Sequence, residues 1–330
     1  MKQYILKRFA YMVIIVVVMS FFSFIIIQLP PGDFLTSYIA TMEQQLGAQV
    51  DSAVIQQLRA FYGVDKSPVE QYFIWIRNIV LHGDFGRSME WKQPVAALLS
   101  SRMPYTIFLS LITLVFTYAI AIPIGIFSAR KQYSVMDYIF SFIGFVGQAT
   151  PSFFLALVLM YFMNQKFGIS AGGIISPAYA DAPMSLKKFG DYLAHLPIPV
   201  FVIGWAGMAS VIRVMRATLL DESKKLYVVA ARARGLKEQK LTYKYPVRVA
   251  LNPIISSIGS IFPGIISGAT VTAIVLDIPT VGSLLYKALL AQDMYLAGAC
   301  VLILTIMTVI GMFISDILLV VVDPRIRLNE

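Results

Sequence analysis

Few side chains in this sequence could perform acid–base or covalent chemistry. Its histidines are His82 and His195 and its single cysteine is Cys300. No His-Glu-x-x-His or Cys-x-x-Cys spacing is present to hold zinc or form a redox pair. A Gly-x-x-x-x-Gly-Lys-Ser/Thr loop is also missing, so the chain lacks the usual cradle for nucleotide phosphates. Cys300 sits in an apolar run and reads as a small buried hydrophobe. The polar groups that stand out are instead uncharged and lie inside apolar runs: Gln148, Thr150 and Ser152, and further on Ser267, Thr270 and Thr272. Such groups either line a path for solute or hydrogen-bond one helix to another.

The runs that hold these residues are membrane spans. Hydrophobic residues make up 58% of the 330, above the roughly 45–50% of soluble domains, and mean hydropathy is +0.74. Six charge-free runs are candidates to cross the ~30 Å hydrocarbon layer: Phe9–Leu29, Tyr105–Ala129, Tyr138–Gln165, Leu196–Ile212, Val249–Leu276 and Tyr295–Ser315. The first reads as a retained signal anchor, too long for a cleaved leader. Ion-coupled carriers place Asp, Glu, Lys or Arg within their spans, and these runs offer only Asp316 at the edge of the sixth. With the N-terminus in the cytoplasm, both termini and most Lys and Arg of the short loops fall inside, as the positive-inside rule requires. The net charge of +9 is then topology and does not indicate nucleic-acid binding. The organisation expected is an all-α integral membrane protein of six transmembrane helices. It divides into residues 1–29 with the first helix, an extracytoplasmic segment 30–104, and a core 105–330 that includes a cytoplasmic loop 213–248 and a tail 316–330.

Two polar segments could carry recognition. In the outer one, Ser67-Pro68-Val69-Glu70 matches a capping box with proline at the first helical position. Val69, Tyr72, Phe73, Ile76, Ile79 and Val80 follow at helical spacing, and Gly83 is a natural stop. The greasy face packs on the bundle or the lipid interface, or docks an outside partner. Gly83-Asp84-Phe85-Gly86-Arg87-Ser88 then forms a polar turn. In the inner segment, Arg213–Arg248 holds ten Lys/Arg and three Asp/Glu. Leu219–Arg234 reads as a helix, Gly235 as its left-handed stop, and Leu236–Tyr245 as a second helix before Pro246. A helix–glycine–helix of this kind fits a groove on a partner protein, with Ala230, Ala231 and Ala233 permitting close approach. Read from composition alone, a basic loop that sets topology and touches anionic lipid is the favoured reading.

The stretch Tyr227-Val228-Val229-Ala230-Ala231-Arg232-Ala233-Arg234-Gly235-Leu236, followed by Val247-Arg248-Val249-Ala250-Leu251-Asn252-Pro253-Ile254, resembles the "EAA" loop of permease subunits of ATP-binding-cassette (ABC) importers. The match is closest to the peptide/nickel class. Val229 stands where the family usually has an acidic residue. Gln71 through Ser88, Arg102-Met103-Pro104-Tyr105-Thr106, Asp277-Ile278-Pro279-Thr280-Val281-Gly282 and Asp323-Pro324-Arg325-Ile326-Arg327 also look like this class.

The resemblance implies a type I importer permease, resident in a prokaryotic cytoplasmic membrane, that is not itself an enzyme and binds no cofactor. Ala230, Ala231, Arg232, Arg234, Gly235 and Leu236 would couple it to two ATPase subunits, which carry the ATP and Mg. A second six-helix permease, a distinct paralogue, would complete the pathway. An extracytoplasmic solute-binding protein would deliver cargo, with Asp84, Arg87 and Asp277 as contacts. The opening Gln28-Leu29-Pro30-Pro31-Gly32-Asp33 looks like members that carry oligosaccharides, so peptide and oligosaccharide weigh equally. The competing class is a stand-alone secondary transporter or channel with a topology-setting loop.

Overall fold

The computed structural model describes residues 2–28, 35, 39, 43–44, 49–62, 66–167, 172–179, 182–183 and 185–322. Every extended element among them is a helix: α1 Lys2–Ile27, α2 Ser52–Tyr62, α3 Pro68–His82, α4 Val95–Arg130, α5 Val135–Ala149, α6 Ser152–Phe167, α7 Leu186–His195, α8 Pro197–Ser223, α9 Leu226–Ala233, α10 Glu238–Lys244, α11 Pro246–Val275, α12 Val281–Leu290 and α13 Met294–Val322. Four of these, α1, α4, α8 and α13, are long and apolar enough to span a membrane. Two bent pairs raise the number to six if each pair makes one span. The chain divides into two compact units, Ala10–Tyr105 with Thr280–Val309, and Met1–Phe9, Thr106–Pro279 and Ile310–Glu330.

In the first unit α3 forms as the sequence dictates. Ser67 accepts the Glu70 N–H, the Glu70 carboxylate accepts the Ser67 N–H, and Gly83 at φ +65° closes the C-terminus. The buried face, however, is Gln71, Tyr72 and Trp75, whereas Val69, Phe73 and Val80 point outward. Tyr72 and Trp75 win because they can satisfy their polar ends inside. The Tyr72 hydroxyl pairs with Ser20 Oγ at 2.8 Å, and Trp75 Nε1 donates to the Phe85 carbonyl at 3.0 Å. Phe24 stacks on Trp75 with ring centroids 5.1 Å apart. Leu284, Leu296 and Cys300 complete this core, and Cys300 is fully buried as its apolar setting predicts.

In the second unit α8 is the central helix, burying Met208, Val211, Ile212, Met215 and Leu219 against Ala121, Ile126, Val247 and Ile254. Gly147 on α5 lets the indole of Trp205 approach: a Cβ there would lie 2.5 Å from its Cδ1 and Nε1. The indole in turn donates to the Ile143 carbonyl at 3.1 Å. Gly147→Ala is therefore expected to force a helix shift that costs about 1–3 kcal/mol. A lowered thermal midpoint in detergent checks this, and an unchanged midpoint contradicts the packing.

Three sequence expectations need correction here. The second span begins at Val95, so Pro104 lies inside α4 and does not precede it. The third span is broken, with α5 and α6 meeting at 101°. Pro151 has no N–H to continue the helix, and Thr150 before it is held extended at ψ 122°. The fourth helix does not stop at Ile212 but runs to Ser223, carrying Arg213, Arg216, Asp221 and Glu222. Arg216 is tolerated there because it donates twice to Asp137, at 3.0 and 2.9 Å. The Asp137 side chain is only 3% exposed. Asp137→Ala leaves a half-buried guanidinium without its carboxylate and is expected to cost about 2–4 kcal/mol. Adding Arg216→Ala should restore part of that loss in a melting experiment, and no restoration would mean the pair is not coupled.

Candidate functional site: a helix–glycine–helix loop

The basic loop folds as a small self-supported unit. α8 ends at Ser223, where Asp221 and Glu222 place negative charge at a helix C-terminus that disfavours it. The expected continuous helix Leu219–Arg234 is thus two helices, with Lys225 extended between them. Glu222, 7% exposed, is bound by Lys225 Nζ at 2.5 Å and by the Tyr227 hydroxyl at 2.7 Å. Burial, and secondarily the Glu222 carboxylate, push the Tyr227 phenol up to about 12. It therefore donates at every physiological pH.

α9 and α10 then close on each other through Val228, Ala231 and Leu241, with Leu236 and Tyr245 packed against them. Between them Gly235 stands at φ +78°, with open space where a Cβ would be. Arg232 Nε and Nη2 both donate to the Glu238 carboxylate across the turn. That pair raises the Arg232 pKa and holds Glu238 low. The result leaves Ala230, Arg232, Ala233, Arg234 and Gly235 exposed on a short rigid knuckle while Ala231 faces inward. Small side chains flanked by guanidinium groups allow a partner's backbone to come close and its acidic groups to pair.

Thr272 is fully buried and donates to Ser152 Oγ at 2.8 Å, joining α11 to α6. Thr150 Oγ1 bonds the Val146 carbonyl, Ser267 that of Pro263, and Thr270 that of Ile266, each within its own helix. Gln148 accepts from Arg213 at 2.9 Å. Asp84 and Arg87 lie in the first unit, and Asp277 in the second. Asp84 caps the Gly86 N–H at 2.8 Å, Arg87 donates to the Lys92 carbonyl, and Asp277 holds a left-handed φ of +51°.

Asp293 was not legible from the sequence. It is fully buried and accepts from Ser88 Oγ at 2.5 Å, Met89 N at 2.8 Å, Glu90 N at 3.2 Å and Leu296 N at 3.2 Å. The Leu296 bond is a local cap at the start of α13, but Ser88, Met89 and Glu90 are 203 to 205 residues away, and no local pattern marks them. Gly168-Ile169-Ser170-Ala171-Gly172 has the spacing of a nucleophile elbow. Its first four residues lie outside those described, and it follows the apolar helix α6 where an elbow requires a strand. Among the described residues no group of three or more His, Cys, Asp or Glu is placed to hold a metal.

Residues 121–328, which include the whole knuckle, match the family model for the binding-protein-dependent transport system inner membrane component. Residues 1–110 match the model for the N-terminal part of the same membrane components. The chain belongs to this family. It is a permease of the ABC-importer class and a multi-pass inner-membrane protein. The permease is 32% identical over 329 residues to the oligopeptide transport system permease protein AppB of Bacillus subtilis, covering 99% of this chain and 100% of that one. It is 28% identical over 325 residues to the nickel import system permease protein NikB of Staphylococcus aureus, covering 98% and 92%. Among solved structures it resembles the MetNI methionine ABC transporter in inward-facing conformation. That likeness has a TM-score of 0.53 at 14% identity and covers 69% of the permease and 97% of the compared chain. At that identity it speaks for the fold alone.

Proposed function

We propose that this permease forms half of the pathway of an ATP-driven importer and that the α9–α10 knuckle is the part seated in an ATPase subunit. The observation that carries the reading is the knuckle itself: a turn fixed by Gly235 and a private apolar core, with its small and basic residues left exposed. A loop that served only to orient the chain would need the charges but not the packing. In this reading six spans put both termini and the knuckle in the cytoplasm, and residues 30–104 face outward. Two ATPases bind ATP and Mg, and the chain itself binds no cofactor. A second permease supplies the other half, because the sequence holds no internal repeat that would let one chain form both, and in this reading it is a distinct chain.

A solute-binding protein delivers cargo to the outside face, where Asp84, Arg87 and Asp277 are available. Closure of the ATPase dimer moves the knuckle and switches the pathway from inward- to outward-facing. The cargo is a peptide, in keeping with the oligopeptide and dipeptide permeases among the relatives; the oligosaccharide reading has no such support. Of the six polar residues read as candidates to line the pathway, Thr272 is buried against Ser152 and ties two helices together, which leaves Gln148, Thr150, Ser267 and Thr270 for that role.

The test is to purify the tagged chain in mild detergent from its own host and identify what accompanies it. Two ATPases or one, with a second permease, support the reading. A chain that emerges alone and carries solute into liposomes without ATP would instead be a stand-alone transporter.

A further inference from the structure

A cavity of about 840 Å³ opens beside the knuckle, between the C-terminal end of α4, the start of α5, the end of α8, and α9–α10. Its walls change character with depth. Toward the span they are apolar, with Pro123, Ile126, Phe127, Met136 and Phe140. At the rim stand Arg130 and Lys131, both exposed, and neither has an ion pair among the described residues. The other cation lining the cavity, Arg232, is ion-paired with Glu238, whose charge Arg130 also feels, so three cations face one carboxylate and the lining carries a net charge of +2. Pro123 and Arg130 are seven residues apart on α4, or about 10 Å along its axis at the α-helical rise. That is the distance from the upper acyl region of a leaflet to its headgroups.

From this we infer that the cavity is a binding site for an acidic phospholipid, whose phosphate sits between Arg130 and Lys131 while its acyl chain lies against Phe127, Met136 and Phe140. A soluble anion would use the cations but leave the apolar wall bare, and a neutral lipid would use the wall but leave the cations unmatched. Only an acidic amphiphile satisfies both. Because Arg232 and Glu238 line the same cavity, an occupied site would brace the knuckle from the membrane side. The inference rests on membrane embedding and not on the proposed ATPase contact, so either can fail alone.

The test uses the whole complex purified from membranes containing phosphatidylglycerol, with retained lipid read by native mass spectrometry. Arg130→Gln with Lys131→Gln should reduce retained phosphatidylglycerol by about tenfold or more, since each basic residue near a headgroup contributes several-fold to affinity. Arg77→Gln with Lys187→Gln removes the same charge elsewhere and should leave retention unchanged. Melting of each variant establishes that it is folded. Equal retention in wild type and the Arg130/Lys131 variant overturns the site. So does an equal loss in the control, which would mean diffuse attraction. Displacement of the lipid by millimolar glycerol 3-phosphate would assign the cations to a soluble anion and overturn the lipid as occupant.

Discussion

Asp293→Ala should unfold the loop 84–94 and cost about 3–5 kcal/mol, because it removes one carboxylate that serves four buried or half-buried donors. Each donor left without a partner carries its own desolvation penalty, and the bonds lost are charge-assisted. The damage spreads through Ser88, whose Oγ also accepts the Trp91 N–H at 3.0 Å. Asp293→Asn keeps the shape but turns one acceptor into a donor facing N–H groups, so it should recover less than half of the loss. The measurement is thermal melting in detergent alongside proteolysis at Arg87 and Lys92, which cleavage should reach only in the variants. A melting midpoint and cleavage pattern identical to wild type in Asp293→Ala would contradict the latch.

The second large effect is expected at Gly235. No atom lies within 4 Å of where its Cβ would be, so a substitution is felt through the backbone alone. At φ +78° a β-branched residue is strained by more than the ~1–2 kcal/mol usual for L-residues in the left-handed region. Gly235→Val should therefore move the turn and separate α9 from α10. In reconstituted complex, ATP-dependent uptake should fall at least about tenfold while membrane insertion and yield persist. Gly235→Asn, whose side chain tolerates this conformation, should keep uptake within about twofold. If valine and asparagine behave alike, the turn's geometry is not what the site depends on.

The local parts of this molecule were legible in its sequence. Ser67 with Glu70, the stop at Gly83 and the turn at Gly235 are set by side chains and φ angles within a few residues, and the structure has all three. Composition likewise located the apolar runs. What escaped were features decided by distant partners or by a misleading local signal. Pro104 reads as a boundary, yet α4 passes through it. Arg213 and Arg216 read as the start of a polar loop, yet the helix continues because Gln148 and Asp137 lie 65 and 79 residues away in sequence to receive them. The break at Pro151 was open to prediction from proline's own chemistry, and the long apolar run around it hid the signal. Of the greasy face read on α3, Tyr72 is buried and Ile76 and Ile79 pack beside it, but Phe73 is exposed and Trp75 takes the inside place, because hydrophobicity alone cannot rank Phe73 against an indole whose N–H has a bonding partner inside.

The knuckle also explains why an acidic residue at position 229 is dispensable for the fold. Val229 is exposed, and the turn is held by Val228, Ala231 and Leu241 and by the Arg232–Glu238 pair. Any role for charge at the contact then falls to Arg232, Arg234 and the neighbouring lysines.

A knuckle seated in an ATPase subunit must lie within cross-linking reach of that subunit. A photo-cross-linking amino acid placed at Ala230, which is exposed and outside the knuckle's own core, tests it in intact cells. A single major adduct containing an ATPase subunit is expected, lost when the same probe is placed at the exposed Tyr133. An unreacted chain, or adducts only with lipid, would contradict it.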